Sequence, residues 1–243
     1  IVEGSVGVAM MNSTALASTT VLTVTAASGS NSNNKFYNNT INSGNYGIVL
    51  IGFAAVTPFT LADTNNEIGA LGFGNSILNF GGGAATNPSA GIRTLAQYGL
   101  NVNYNIVNNN NGTGVNHLTT LRGIYINTAV SASANITNNN ITVISGATTS
   151  LLEGINNASG STAASNTINI NNNIVALGYP TQTSATINGI LNGSSAATVN
   201  INNNTVTQAA GFALAGTGTW VMIEGGSPGG ILNTNNNIVS NIV

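Results

Sequence analysis

Residues Ile168-Asn169-Ile170-Asn171-Asn172-Asn173-Ile174-Val175 form the stretch that decides the fold of this chain. Apolar residues alternate with polar ones up to a pair of asparagines, and apolar residues resume after the pair. The same phrase returns at residues 134–141, 199–206 and 232–239. A phrase that recurs in fixed phase at this spacing is typical of a solenoid or a propeller, in which each copy is one structural unit.

Weaker copies of the phrase lie at residues 8–15, 34–41, 71–78 and 100–107, where Ser or Tyr sometimes replaces one Asn. The second residue of each pair is 26 to 37 residues from the next. Asn tolerates the left-handed backbone of a tight corner, and stacked amides can bond along a column. We therefore predict a structural ladder at one corner, formed by Ser13, Asn39, Ser76, Asn105, Asn139, Asn173, Asn204 and Asn237.

The period of two on both sides of the pair predicts two strands per copy, and no window has the spacing of a helix. A second phrase, Gly-Ile, recurs at residues 47, 91, 123, 154 and 189 and predicts a third strand. The expected fold is all-β: a right-handed parallel β-helix of about seven to eight coils, with three strands per coil. A propeller, a left-handed β-helix and a β-sandwich fit the pattern less well.

Composition limits the partners of the chain. Three basic and five acidic residues make up 3% of the sequence, against roughly 25% in ordinary soluble domains. Without a basic patch or a long apolar stretch, we expect neither nucleic-acid binding nor membrane insertion. The absence of cysteine is compatible with an extracellular protein.

We expect residues 1–243 to form a single solenoid segment, because the repeat runs to both ends without a polar capping repeat. Such a segment would belong to a longer protein, or its ends would be covered by neighbouring copies in a homopolymer formed by end-to-end stacking.

Charged residues are too sparse to suggest catalysis. Arg122 and Glu153 each precede the Gly of a Gly-Ile phrase in consecutive coils, which predicts an exposed inter-coil ion pair. Glu153 and Glu224 lie about two coils apart, and a glycosidase needs two carboxylates about 5–9.5 Å apart. We favour structural roles for both. His117 stands alone in a Gly- and Asn-rich loop, so we expect a surface histidine, no metal and no cofactor.

Two further groups of residues could bind or carry a carbohydrate. The aromatic residues Tyr98, Tyr125, Tyr179 and Trp220 could form a sugar-stacking strip, although core or loop positions are the stronger expectation. Among the Asn-x-Ser/Thr sequons, Asn111 and Asn192 are the most plausible loop sites for a glycan.

Three stretches of the chain resemble known proteins: residues 133–142, 123–127 and 199–206, which read SANITNNNIT, GIYIN and VNINNNTV. They are similar to the very long, repetitive surface proteins of gliding bacteria that use type IX secretion, and the resemblance extends over about residues 33–243. It implies a parallel β-helix acting as an adhesin, a surface fibre or secreted matrix. The coil architecture also resembles that of pectate-lyase-like proteins, whose enzymes use clustered Asp, Arg and Lys with calcium.

The leading hypothesis is a non-enzymatic extracellular structural protein, a rigid segment of a surface adhesin or filament. One alternative is a carbohydrate-binding or carbohydrate-cleaving β-helix, with a surface glycan as ligand. A second is an ice-binding β-helix, although its regular Thr-x-Thr array is missing.

Overall fold

The computed structural model describes residues 5–14, 17–82, 87–181, 184–212, 216–226 and 228–242, and it gives only the backbone of residues 13–14 and 17–21. Three parallel sheets of seven strands each dominate this part of the chain. The chain forms one strand in each of the three sheets, numbered 1, 2 and 3 in chain order, and then repeats the cycle. One such set of three strands is called a rung. The result is a parallel β-solenoid with seven rungs and therefore six steps between rungs.

The strands of each sheet follow one another in chain order. Sheet 1 contains Val6–Met11, Tyr46–Ile51, Ser89–Leu95, Leu121–Ile126, Leu152–Asn157, Ile187–Asn192 and Trp220–Glu224. Sheet 2 contains Lys35–Phe36, Glu67–Ile68, Leu100–Asn103, Ala134–Thr137, Thr167–Asn171, Thr198–Asn202 and Ile231–Asn235. Sheet 3 contains Thr40–Gly44, Ser76–Phe80, Ile106–Asn108, Asn140–Ile144, Ile174–Gly178, Thr205–Gln208 and Ile238–Ser240.

Three smaller structural features lie beside the early rungs. Asp63–Thr64 pairs in parallel with Gln97–Tyr98 at the corner between sheets 1 and 2. Ser13–Thr14 and Ala17–Val21 form an antiparallel hairpin. A single 3₁₀ turn covers Ala27–Gly29. No helix in the described ranges has the length and apolar character needed to cross a membrane.

The core consists of aliphatic side chains stacked in register from rung to rung. Ile136 pairs with Ile170 and Ile170 with Ile201, and all three are fully buried. These are the apolar positions of the repeated phrase, which alternate with polar residues on the outer face. Each buried aliphatic side chain contributes roughly 1.5–3 kcal/mol of gross burial energy. The phrase thus produces one continuous core along the solenoid axis.

Glycine in the Gly-Ile phrase lets the strands of sheet 1 pack closely. A Cβ atom on Gly123 would lie 2.5 Å from the Gly154 carbonyl oxygen and 2.5 Å from Cγ2 of Ile141. The glycine also interrupts the alternation of the strand, because Leu121 and Ile124 are both fully buried. The residue just before the Gly-Ile pair and the residue just after it therefore form two separate columns on the outer face of sheet 1.

The predicted all-β parallel architecture with three strands per coil is confirmed. The rungs number seven in the described part of the chain, at the low end of the expected seven to eight. The right-handed sense stays a prediction, based on the handedness of parallel crossover connections. The first copy of the phrase was assigned wrongly: residues 8–11 continue the Val6–Met11 strand of sheet 1. Period-two alternation is common to all strands and does not identify the sheet.

Candidate functional site

A column of asparagines, buried except at its two ends, closes the corner between sheets 2 and 3. From the second rung onward, each side-chain Oδ1 accepts two hydrogen bonds from the Asn of the preceding rung, one from its backbone N–H and one from its Nδ2, at 2.8–3.1 Å. The members are Asn39, Asn75, Asn105, Asn139, Asn173, Asn204 and Asn237. Buried amides on this column are satisfied by one another, which removes the cost of burying them.

The column is also tied to the backbone of sheet 2. From Asn75 onward, each Nδ2 donates to a carbonyl oxygen of the preceding rung, and all six distances are 2.7–2.8 Å. Asn173, for example, donates to Ile136 O. A ladder side chain with neighbours on both sides, such as that of Asn173, thus makes three hydrogen bonds to the preceding rung and one to the following rung.

Two of the predicted ladder positions are not in this column. Asn75 occupies the second rung, and Ser76 is the first residue of the following strand. The side chain of Ser13 lies outside the described residues, and its backbone pairs with Val21 in the antiparallel hairpin. The prediction erred at Ser76 because Asn75 and Ser76 fit the polar pair equally well by pattern.

The two asparagines of the pair have different roles. The first adopts the left-handed backbone, with φ of 58° at Asn138 and Asn172 and 57° at Asn203. Tyr104 takes that position on the third rung with φ of 61°. The second asparagine forms the buried ladder. Asn tolerates positive φ better than most residues, which explains its prevalence at the first position.

A second column of asparagines lies on the outer face of sheet 2. Its side-chain amides bond from rung to rung at 2.7–2.8 Å through Asn101, Asn135, Asn169, Asn200 and Asn233. These side chains are partly or fully exposed. The same chemistry therefore occurs twice in the solenoid, once shielded from water and once facing it.

Arg122 and Glu153 occupy paired positions on neighbouring rungs of sheet 1, and Arg122 Nε donates to Glu153 Oε2. The pair differs from the exposed bridge that the sequence suggested, because the Glu153 side chain is only 1% exposed and that of Arg122 18%. Glu153 Oε1 also accepts from Nδ2 of Asn156 at 2.7 Å and of Asn188 at 3.3 Å. The neighbouring rungs cover the carboxylate and satisfy both of its oxygens.

Glu224 does not share a site with Glu153. The two residues lie on rungs two steps apart and in different outer columns, since Glu224 pairs with Leu191 whereas Glu153 pairs with Asn188. Two strand spacings amount to about 9.6 Å before the sideways offset is added. That separation is already at the upper limit for a pair of glycosidase carboxylates.

His117 was predicted to be a surface residue and is instead completely buried. Its Nδ1 lies 3.2 Å from Gly82 O and its Nε2 lies 3.1 Å from Thr120 O. The backbone at His117 forms a bridge with Ser145, which draws the loop onto sheet 3. Loop composition predicted exposure, but this long-range pairing determines the position.

The four aromatic residues do not form one exposed strip. Tyr179 is fully buried and donates to Ser150 O at 2.7 Å, and Tyr98 is 9% exposed and packs against Phe59 at 5.3 Å between ring centroids. Burial raises the pKa of both tyrosines. Tyr125 faces outward beneath Arg122, whose Cζ is 4.4 Å from the ring centroid.

Asn192 is also buried, and its Nδ2 donates to Gly225 O at 3.0 Å, so it is not the loop site suggested for a glycan. Asn157 extends this arrangement, since its Nδ2 donates to Asn192 Oδ1 at 2.8 Å. Asn111 is exposed. The corner between sheets 1 and 2 thus has a short amide ladder of its own, which the sequence pattern did not reveal.

Asp63 is a buried carboxylate at the same corner. Its Oδ1 accepts from Asn12 Nδ2 at 3.0 Å and from the backbone N–H of Asn31 at 2.9 Å. Its Oδ2 lies 3.4 Å from Gln97 Nε2. Desolvation by burial raises the pKa of Asp63, and these hydrogen bonds only partly offset that rise. No group of three or more metal-ligating side chains occurs in the described ranges.

Comparison with known protein families, with curated proteins and with solved structures finds no match to this chain. The β-helical architecture implied by the resemblance to surface proteins of gliding bacteria agrees with the fold.

Proposed function

We propose that this chain is a non-enzymatic structural protein, a rigid β-helical segment of an extracellular surface adhesin or filament. The observation that carries the proposal is the unbroken asparagine ladder from Asn39 to Asn237. It cross-links seven rungs at one corner by side-chain hydrogen bonds in addition to the backbone ladders. Sparse charge supports the same role, because changes in salt or pH perturb few interactions in such a structure.

Mechanical unfolding tests the rigid role. Asn105 and Asn139 mark equivalent points 34 residues apart, so peeling one rung releases about 110–120 Å of extended chain. Single-molecule stretching from the two termini should show resisted steps of about this length. Extension without resisted steps, as for an unfolded chain, would contradict the proposal.

A filament requires a surface on which further rungs can pack. Leu232 and Val239 continue the core columns of Val199 and Val206, which are fully buried, yet they are 41% and 48% exposed. In the proposed homopolymer, the first rung of a second copy covers these side chains. Further rungs on this side would bury both side chains and continue the two core columns.

Sedimentation across a range of concentrations tests the homopolymer. The chain should form larger species as concentration rises, whereas Leu232→Lys should remain monomeric with an unchanged circular dichroism spectrum. Leu118→Lys is the matched control, because Leu118 is also 41% exposed but lies outside the last rung, and this variant should assemble like the unaltered chain. A monomer at all concentrations would contradict end-to-end stacking.

A further inference from the structure

A groove on the outer face of sheet 1 contains chemistry that the scaffold does not use. Its volume is about 270 Å³. It spans three rungs, and its walls include Tyr46, Pro88, Arg93, Arg122, Tyr125 and Asn127. It thus contains two of the three basic residues of the whole chain.

The two arginines of the groove differ in their partners. Arg122 is bonded to Glu153, as described above. Arg93 has its Cζ 5.6 Å from the ring centroid of Tyr46, and its Nε is shielded from water without a hydrogen-bond partner. Within the described part of the chain, no acidic side chain forms an ion pair with Arg93.

A buried donor without an acceptor is costly. A bound anion would supply the missing acceptor. Arg122 cannot supply that acceptor, because a guanidinium has only donors. Glu153 is already engaged by Arg122, Asn156 and Asn188.

We propose that this groove is a binding site for the carboxylate of a small ligand, held by the guanidinium of Arg93. The planar fork of Arg donates to both oxygens of a carboxylate, and such charge-assisted pairs are among the stronger hydrogen bonds in proteins. The volume lies just below the usual range of small-molecule pockets, about 300–1,000 Å³, and suits a ligand of about monosaccharide size.

The walls of the groove are arranged for such a ligand. Tyr46 donates its hydroxyl to Pro88 O at 2.6 Å, which fixes the ring beneath Arg93. Asn127 Oδ1 accepts from the backbone N–H of Thr128 at 2.8 Å, which orients its amide and leaves Nδ2 as a second donor. An anion in the groove would therefore meet an arginine with a fixed ring on one side and an oriented amide at the margin.

Titration of the full chain with glucuronate and with glucose tests the site, because the two sugars differ in the carboxylate. Ligand-observed nuclear magnetic resonance measures the affinity. Glucuronate should bind saturably and more weakly at high salt, and glucose should not. Arg93→Gln should weaken glucuronate binding about tenfold or more, whereas Arg93→Lys, which keeps the charge and loses the fork, should have an intermediate affinity.

Lys35→Gln is the matched control, because it removes one positive charge that also lies over a tyrosine ring, that of Tyr37 at 5.9 Å, on another sheet. It should leave glucuronate binding unchanged. Circular dichroism of each variant establishes that it is folded. Equal binding of glucose and glucuronate, unaltered affinity in folded Arg93→Gln, or binding of sulfate without glucuronate would each overturn the carboxylate site.

Discussion

Replacing one asparagine on each face of the same rung separates the buried ladder from the exposed one. Asn173→Ala removes a side chain that is fully shielded from water, and Asn169→Ala removes one that lies four residues earlier on the outer face. Both side chains bond to asparagines of the neighbouring rungs. The two substitutions delete the same chemical group and differ in solvent access.

The contacts of Asn173 set the size of the effect. Alanine deletes its bonds to Ile136 O and Asn204 Oδ1, and both bonds that its Oδ1 accepts from Asn139. Two buried N–H groups of Asn139 then lack this acceptor, at roughly 1–3 kcal/mol each. We therefore expect a loss of about 2–6 kcal/mol in the free energy of unfolding. In Asn169→Ala, water can hydrogen-bond to the groups that Asn169 leaves unpaired. The free energy of unfolding should therefore fall by only about 0–1 kcal/mol.

Equilibrium denaturation in guanidinium chloride, followed by far-ultraviolet circular dichroism, measures both variants against the unaltered chain. Because long repeat arrays can unfold in stages, the comparison uses the transition that includes the central rungs. Asn173→Ala should lower its midpoint much more than Asn169→Ala. Equal shifts, or a shift for Asn173→Ala within error of zero, would refute the argument that burial makes this ladder stabilising.

Three further results are expected. Because burial raises the pKa of Asp63 above its unfolded value, the folded chain binds the proton more tightly, and stability should rise as pH falls from 7 towards about 4. Asp63→Asn should flatten this pH dependence of stability in thermal melts. An unchanged pH dependence would exclude Asp63 as its source. Gly123→Ala should lower the free energy of unfolding by about 1–3 kcal/mol in chemical denaturation, because its Cβ would meet the next rung's carbonyl, whereas Gly193→Ala, whose Cβ would lie 3.7 Å from Asn157 O, should be tolerated. A double-mutant cycle on Arg122 and Glu153 should give a coupling of about 1–3 kcal/mol, and a value near zero would show that the contact contributes little.

The asparagine ladder was largely predictable because its residues share a position that the sequence displays. Every ladder Asn directly precedes a strand of sheet 3, as Asn39 precedes Thr40–Gly44 and Asn75 precedes Ser76–Phe80. Alignment on the start of that strand would have selected Asn75. The sequence pattern alone could not, because Leu71 and Phe73 imitate the apolar positions of the phrase although they lie in a loop and are exposed.

The positions of His117 and Arg93 depend on contacts that no local pattern encodes. His117 is buried by a bridge to Ser145, and Arg93 acquires its surroundings from Tyr46 and Tyr125 on the neighbouring rungs. The loops between rungs vary in length, so the register that brings these residues together appears only once the rungs are stacked. Local propensity determined the strands, and long-range register determined the groove.

The stacking of rungs also sets how much height a given length of chain can produce. The 34 residues from Asn105 to Asn139 raise the solenoid by about 4.8 Å, whereas the same residues in an α-helix would span about 51 Å. The six steps described here therefore give a column only about 29 Å tall. A solenoid of this kind gains little height for each residue that it uses. It can reach a length much greater than this only by adding many more coils or many more copies.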